Sequence, residues 1–119
     1  MRLTEAERKV MEVLWADGPM PATEMVKALD KIADWRKTTT YTMITRCMDK
    51  GYIRRDNPGF MCTALVSKED VTKYETDRLI QQGYDGSADL LVAALVDEKK
   101  LSLEKLHALY ETLREMEEA

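Results

Sequence analysis

Between residues 38 and 66 the chain changes its hydrophobic period at a single glycine. Laid out at 3.6 residues per turn, Thr40, Met43, Ile44, Cys47 and Met48 fall on one face of a helix and Thr39, Thr42, Thr45, Arg46 and Asp49 on the other. Laid out at period 2, the same apolar set splits across both faces. The threonines, Tyr41 and Ile44 would suit a strand, because β-branched and aromatic side chains fit a pleated surface. Periodicity outweighs that preference and predicts a helix, capped at Thr38 or a neighbour and ended by Gly51. Beyond Gly51 two short apolar runs, residues 52 to 56 and 60 to 66, flank Asn57-Pro58-Gly59 and predict a β-hairpin. A helix that hands over directly to a hairpin leaves few folds open.

What precedes this stretch narrows them further. Thr4-Glu5-Ala6-Glu7 is a capping box, Val10, Val13 and Leu14 follow at helical spacing with Trp15 near the end, and Gly18-Pro19 stops the helix. A second short helix is expected over residues 21 to 29, with Pro21 in its first turn and Met25, Val26 and Leu29 as its apolar stripe. Helix, helix, helix, hairpin is the winged variant of the helix-turn-helix. The expected fold class is therefore mainly α with a small β-hairpin. A winged helix-turn-helix DNA-binding domain spans residues 1–66, and a helical dimerisation domain spans residues 67–119.

In that second part Ser67 starts a helix with Val71, Tyr74, Leu79 and the stem of Arg78 on its inner face, and residues 83 to 87 interrupt it. Leu90, Leu91, Ala94 and Leu95 mark another helix. Ser102 caps a last one, whose Leu103, Leu106, Tyr110 and Leu113 form a stripe widened by Leu109 and Met116. Short helices with one apolar face and no large core of their own are covered most economically by a second copy. The expected dimerisation residues are Val71, Tyr74, Leu90, Leu91, Leu95, Leu103, Leu106, Tyr110 and Leu113.

Charge points the first part toward a negative partner. The chain carries a net −4, yet residues 1–66 hold 11 basic and 9 acidic side chains, and residues 67–119 hold 7 basic and 13 acidic. Six basic residues stand against Asp49 alone between residues 35 and 55. A phosphate backbone responds to the local field, so the acidic total does not argue against DNA. Thr38, Thr39, Thr42, Thr45 and Arg46 are expected to face the major groove, where short hydroxyl side chains allow close approach to base edges and the thymine methyl. Arg36, Lys37, Lys50, Arg54 and Arg55 are expected on phosphates, aided by the partial positive charge of the helix N-terminus. A protein-interaction module presenting the same basic face to an acidic partner is the alternative.

Catalytic and metal chemistry find little support. The lone His107 and the two cysteines, Cys47 and Cys62, cannot supply four zinc ligands without carboxylates, and no GxSxG, HExxH or glycine-rich phosphate loop is present. No cofactor is expected and no enzymatic activity. His107 is expected at a surface or interface, and Cys47 as a small buried apolar group rather than part of a redox switch. Trp15 and Trp35 are assigned to packing. The N-terminus has no apolar leader segment, and SADLLVAALV contains Asp89 and is too short to cross a bilayer, so a cytoplasmic location without membrane insertion is expected.

Three stretches, LTEAERKVMEVLWADGPMPATEMVKAL, TTTYTMITRCMDKGYIRR and DGSADLLVAALVDEKKLSLEKLHALYETL, together resemble the penicillinase and methicillin-resistance repressors, a family grouped with a copper-responsive repressor. The resemblance runs through nearly the whole chain. It implies a bacterial homodimer that binds a short palindromic operator and blocks transcription. It also implies a membrane-bound sensor or a protease upstream, acting on an Asn-Phe bond in the dimerisation helix. Here Ala94-Leu95 stands at that place. The tail YETLREMEEA lacks the cysteine-rich metal motif of the copper-responsive branch.

Overall fold

The computed structural model describes residues 1–119, which form six helices and three short strands. Helix α1 (Glu5–Asp17) begins at the capping box: the Glu7 amide donates to Thr4 Oγ1 at 3.1 Å, and the Thr4 amide donates to Glu7 Oε1 at 2.8 Å. It ends at Gly18, whose φ of 81° turns the chain away. Thr4→Ala removes the hydroxyl that accepts the Glu7 amide and is expected to cost about 1 kcal/mol in urea unfolding; an unchanged midpoint would show that bond to be energetically idle.

Helix α2 (Ala22–Ala33) runs a turn further than expected and starts one residue later, with Pro21 at the cap position. Its stop is Asp34, a non-glycine residue with φ 56°, whose amide reaches Asp30 O at 2.9 Å. The extra turn carries Ile32, which is 63% exposed. Helix α3 (Lys37–Asp49) also begins earlier than expected. Arg36 holds the cap position with no side-chain hydrogen bond, so Thr38 lies inside the first turn.

The expected hairpin is present as β2 (Ile53–Asp56) and β3 (Met61–Ala64), but the sheet has a third strand. Met20 and Pro21 form β1, antiparallel to β3 with Met20 opposite Cys62, giving the order β1-β3-β2. Two residues flanked and occupied by proline carry no strand signal. Proline is tolerated there because β1 is an edge, where a missing N–H breaks no ladder.

The core beneath these elements gathers Val10, Met11 and Leu14 from α1, Met25 and Leu29 from α2, Ile44 and Cys47 from α3, and Ile53 and Cys62 from the sheet. Trp15 joins its edge and donates from Nε1 to Val66 O at 2.9 Å, and Trp35 packs against the same core half-buried. The chain divides into two compact units, Met1–Glu75 and Thr76–Ala119. Helix α4 (Lys68–Gly83) is capped by Ser67, whose Oγ accepts the Asp70 amide at 3.0 Å. Its first turns belong with the winged helix: Val71 is fully buried, Lys68 pairs with Glu12 at 3.2 Å, and Glu75 pairs with Arg8.

In the second unit, α5 (Ala88–Asp97) is capped by Ser87, the last residue of the expected break, and α6 (Leu103–Glu118) is capped by Ser102 as expected. Neither helix buries a single residue. Their Val92, Leu95, Leu106, Leu109, Tyr110 and Leu113, with Leu101 from the connection between them, line an open apolar groove. No helix of the protein is long and apolar enough to cross a membrane.

Candidate nucleic-acid interface

Helix α3 is held from behind and bare in front. Thr40, Ile44 and Cys47, spaced 4 and 3 apart, are buried against the core, while Thr38, Thr39, Thr42, Thr45, Arg46 and Asp49 are exposed. The face that periodicity assigns outward is thus the face the fold leaves open. Arg36 and Lys37 are exposed at its start, with no acidic residue in the first turn. The uncapped amides of that turn therefore look into solvent as donors, in a position favourable to an anion. At the other end Gly51 adopts φ 80°, and the Tyr52 amide returns to Cys47 O at 2.8 Å. That turn leads the chain straight into the wing.

Two expected phosphate contacts on the wing are exposed but not idle. Arg54 Nε pairs with Asp56 at 2.8 Å, and Arg55 lies with its guanidinium 3.3 Å from the centre of the Phe60 ring. Phe60 in turn faces Tyr41 at 6.3 Å, and Lys37 Nζ lies 5.9 Å from the Tyr41 ring. Lys37, Tyr41, Phe60 and Arg55 therefore run in one chain of cation and ring contacts from the start of α3 to the wing. Tyr41 and Phe60 were not singled out in the sequence, since their pairing depends on a positive φ at Phe60 of 55°. Phe60 is the only phenylalanine, which was the one available signal.

Lys50 is engaged within the chain. Its ammonium lies 2.8 Å from Glu7 Oε2 and 2.9 Å from Oε1, linking the end of α3 to the capping box of α1. Glu7 is 1% exposed, whereas the Lys50 side chain is 45% exposed. Burial alone would push the Glu7 carboxyl up; the Lys50 hydrogen bond, the Thr4 amide and the Thr4 hydroxyl outweigh it and hold the pKa below the usual value. The Glu7 carboxylate correspondingly raises that of Lys50. The ion pair ties the end of α3 to the start of α1.

The cysteines are both buried and free. Burial, with the nearby Glu7 charge, pushes the Cys47 thiol up to about 12, and burial also raises Cys62. A thiol held protonated inside the core is a poor redox sensor.

Of the expected dimerisation residues, Val71 spends its surface inside the chain. Tyr74, Leu91, Leu95 and Leu106 are half-buried, and Leu90, Leu103, Tyr110 and Leu113 are exposed. Ala94 and Leu95 are half-buried in the middle of α5.

Three helices, a three-stranded wing and an outward α3 rich in hydroxyl and basic groups define a winged helix-turn-helix protein. The chain belongs to the penicillinase repressor family, whose model matches residues 3–115. It is 27% identical to the penicillinase repressor of Bacillus licheniformis over 96% of this chain and 91% of that one. It is 31% identical to the methicillin resistance regulatory protein MecI of Staphylococcus aureus, over 90% of this chain and 89% of that one. Among solved structures it resembles the DNA-binding domain of the repressor BlaI, with a TM-score of 0.54 and 30% identity over 58% of this chain and 87% of that one. It also resembles monomeric Bacillus licheniformis BlaI in complex with the blaP half-operator, with a TM-score of 0.51 and 28% identity over 59% of this chain and 88% of that one.

Proposed function

We propose that this protein is a bacterial transcriptional repressor that binds a palindromic DNA operator as a homodimer. The observation that carries the proposal is the outward face of α3, where Thr38, Thr39, Thr42, Thr45 and Arg46 stand exposed opposite a fully buried Thr40, Ile44 and Cys47 face. Arg46 is the candidate for a bidentate base contact. Arg36, Lys37, Arg54 and Arg55 lie where a helix entering the major groove brings the flanking phosphates, with Lys50 kept for Glu7.

Dimerisation is supported by the second unit. A pair of helices with no buried residue has no interior to offset its loss of conformational entropy, and the apolar side chains of α5 and α6 remain to be covered. A second copy covers both faces at once and sets two α3 helices for two half-sites. We infer release by a change in this dimerisation region, with a sensor or protease upstream and Ala94-Leu95 as the peptide to be cut. Because that peptide lies within a helical turn, cleavage requires α5 to unwind locally.

Selection of bound duplexes from a random pool, followed by titration at several salt concentrations, tests the proposal. One dimer per palindrome is the expected stoichiometry. No preference among duplexes would instead favour a protein-interaction module. On the selected site Arg46→Ala is expected to cost about 1–3 kcal/mol and to relax the preference at one base pair. Arg36→Ala is expected to weaken all duplexes alike and to flatten the salt dependence by about one unit of slope. An unchanged affinity removes either residue from the interface.

A further inference from the structure

Two of the four exposed threonines on α3 do not offer their hydroxyl protons outward. Thr42 Oγ1 donates to Thr38 O at 2.9 Å and Thr45 Oγ1 donates to Tyr41 O at 3.0 Å, each one turn back along the helix. The single proton of each hydroxyl is spent on the backbone, and the oxygen is drawn down against the helix surface. Thr42 and Thr45 are three positions apart, so the two side chains, each carrying one γ-methyl, lie side by side on the exposed face next to Arg46. At these two positions no hydroxyl proton is left for guanine O6 or N7 or for thymine O4. They carry two methyl groups instead.

We propose that Thr42 and Thr45 read the C5-methyl groups of thymines in the major groove by apolar contact, and that their hydroxyls serve the helix rather than the bases. Arg46 then remains the one side chain on this stretch suited to guanine. The inference rests on the DNA-binding reading of α3 and adds to it the chemistry of the bases read.

The test uses the full-length protein and the duplex recovered by selection, with single thymines replaced by uracil, which deletes only the methyl. Uracil at the thymines facing α3 is expected to weaken binding about threefold to fivefold per methyl. Thr42→Val and Thr45→Val keep the methyls at exposed positions and should retain the preference for thymine over uracil. Thr42→Ser and Thr45→Ser keep the hydroxyl and should lose that preference. Indifference of the wild-type protein to uracil at every thymine, or loss of the thymine preference in the valine variants, overturns the inference while leaving DNA binding intact. A wild-type protein without preference among duplexes removes the DNA-binding reading itself, and this inference with it.

Discussion

Leu113→Asp is expected to leave the winged helix folded and to abolish the dimer at micromolar concentration. Leu113 is 54% exposed on α6, so the substitution costs the isolated chain little. In a dimer covering the groove lined by Leu106, Leu109, Tyr110 and Leu113, the same carboxylate would lie desolvated against apolar side chains. A penalty of roughly 3 kcal/mol is enough to weaken association more than a hundredfold. Operator binding should fall further than the loss of any single base contact, because the second half-site no longer binds as part of the same molecule. Sedimentation of wild type and variant decides the matter, with thermal unfolding at several protein concentrations as a second measure. The wild-type midpoint should rise with concentration and the variant's should not. A wild-type monomer at micromolar concentration would contradict the role given to α5 and α6.

The second large effect is expected at Lys50. Lys50→Met leaves Glu7, 1% exposed, as a buried carboxylate held only by Thr4, and an uncompensated buried charge costs on the order of 3 kcal/mol. The pH dependence identifies the cause. In the wild type the Glu7 pKa is depressed by folding, so its contribution is fully present above the unfolded value of 4.5 and is lost as pH falls through the lower folded value. Without Lys50 the Thr4 bonds alone oppose burial, which favours the neutral acid, so the carboxylate is held down less. The deficit of the variant should therefore be large at neutral pH and shrink as Glu7 becomes protonated toward and below pH 4.5. Urea unfolding of both proteins across this range measures it. A deficit that does not vary with pH would place the cost elsewhere. An unchanged salt dependence of DNA binding in the folded variant would remove Lys50 from the phosphate contacts.

The two outcomes separate the parts of the molecule. Leu113 probes whether two copies are held together, and Lys50 probes how firmly α3 is seated on α1. The chain of contacts from Lys37 through Tyr41 and Phe60 to Arg55 adds a second tie, from α3 to the wing. Together these place the exposed face of α3 on a rigid support, as a base-reading helix requires.

Much of the fold is legible along the chain because its determinants act within one turn. The capping box at Thr4, the serine caps at residues 67, 87 and 102, the positive φ at Gly51 and the period of α3 all involve neighbours no more than four positions apart. The outward face of α3 follows from that period, so the candidate interface was visible before any packing was known. What only the tertiary structure decided lies in contacts between distant residues and in rotamers. Met20 and Pro21 become a strand only because β3 runs beside them, and Lys50 finds Glu7 across 43 positions. The identity of Thr42 and Thr45 announces a hydroxyl and a methyl equally. Which of the two faces outward depends on the backbone carbonyl that captures the hydroxyl in the folded helix.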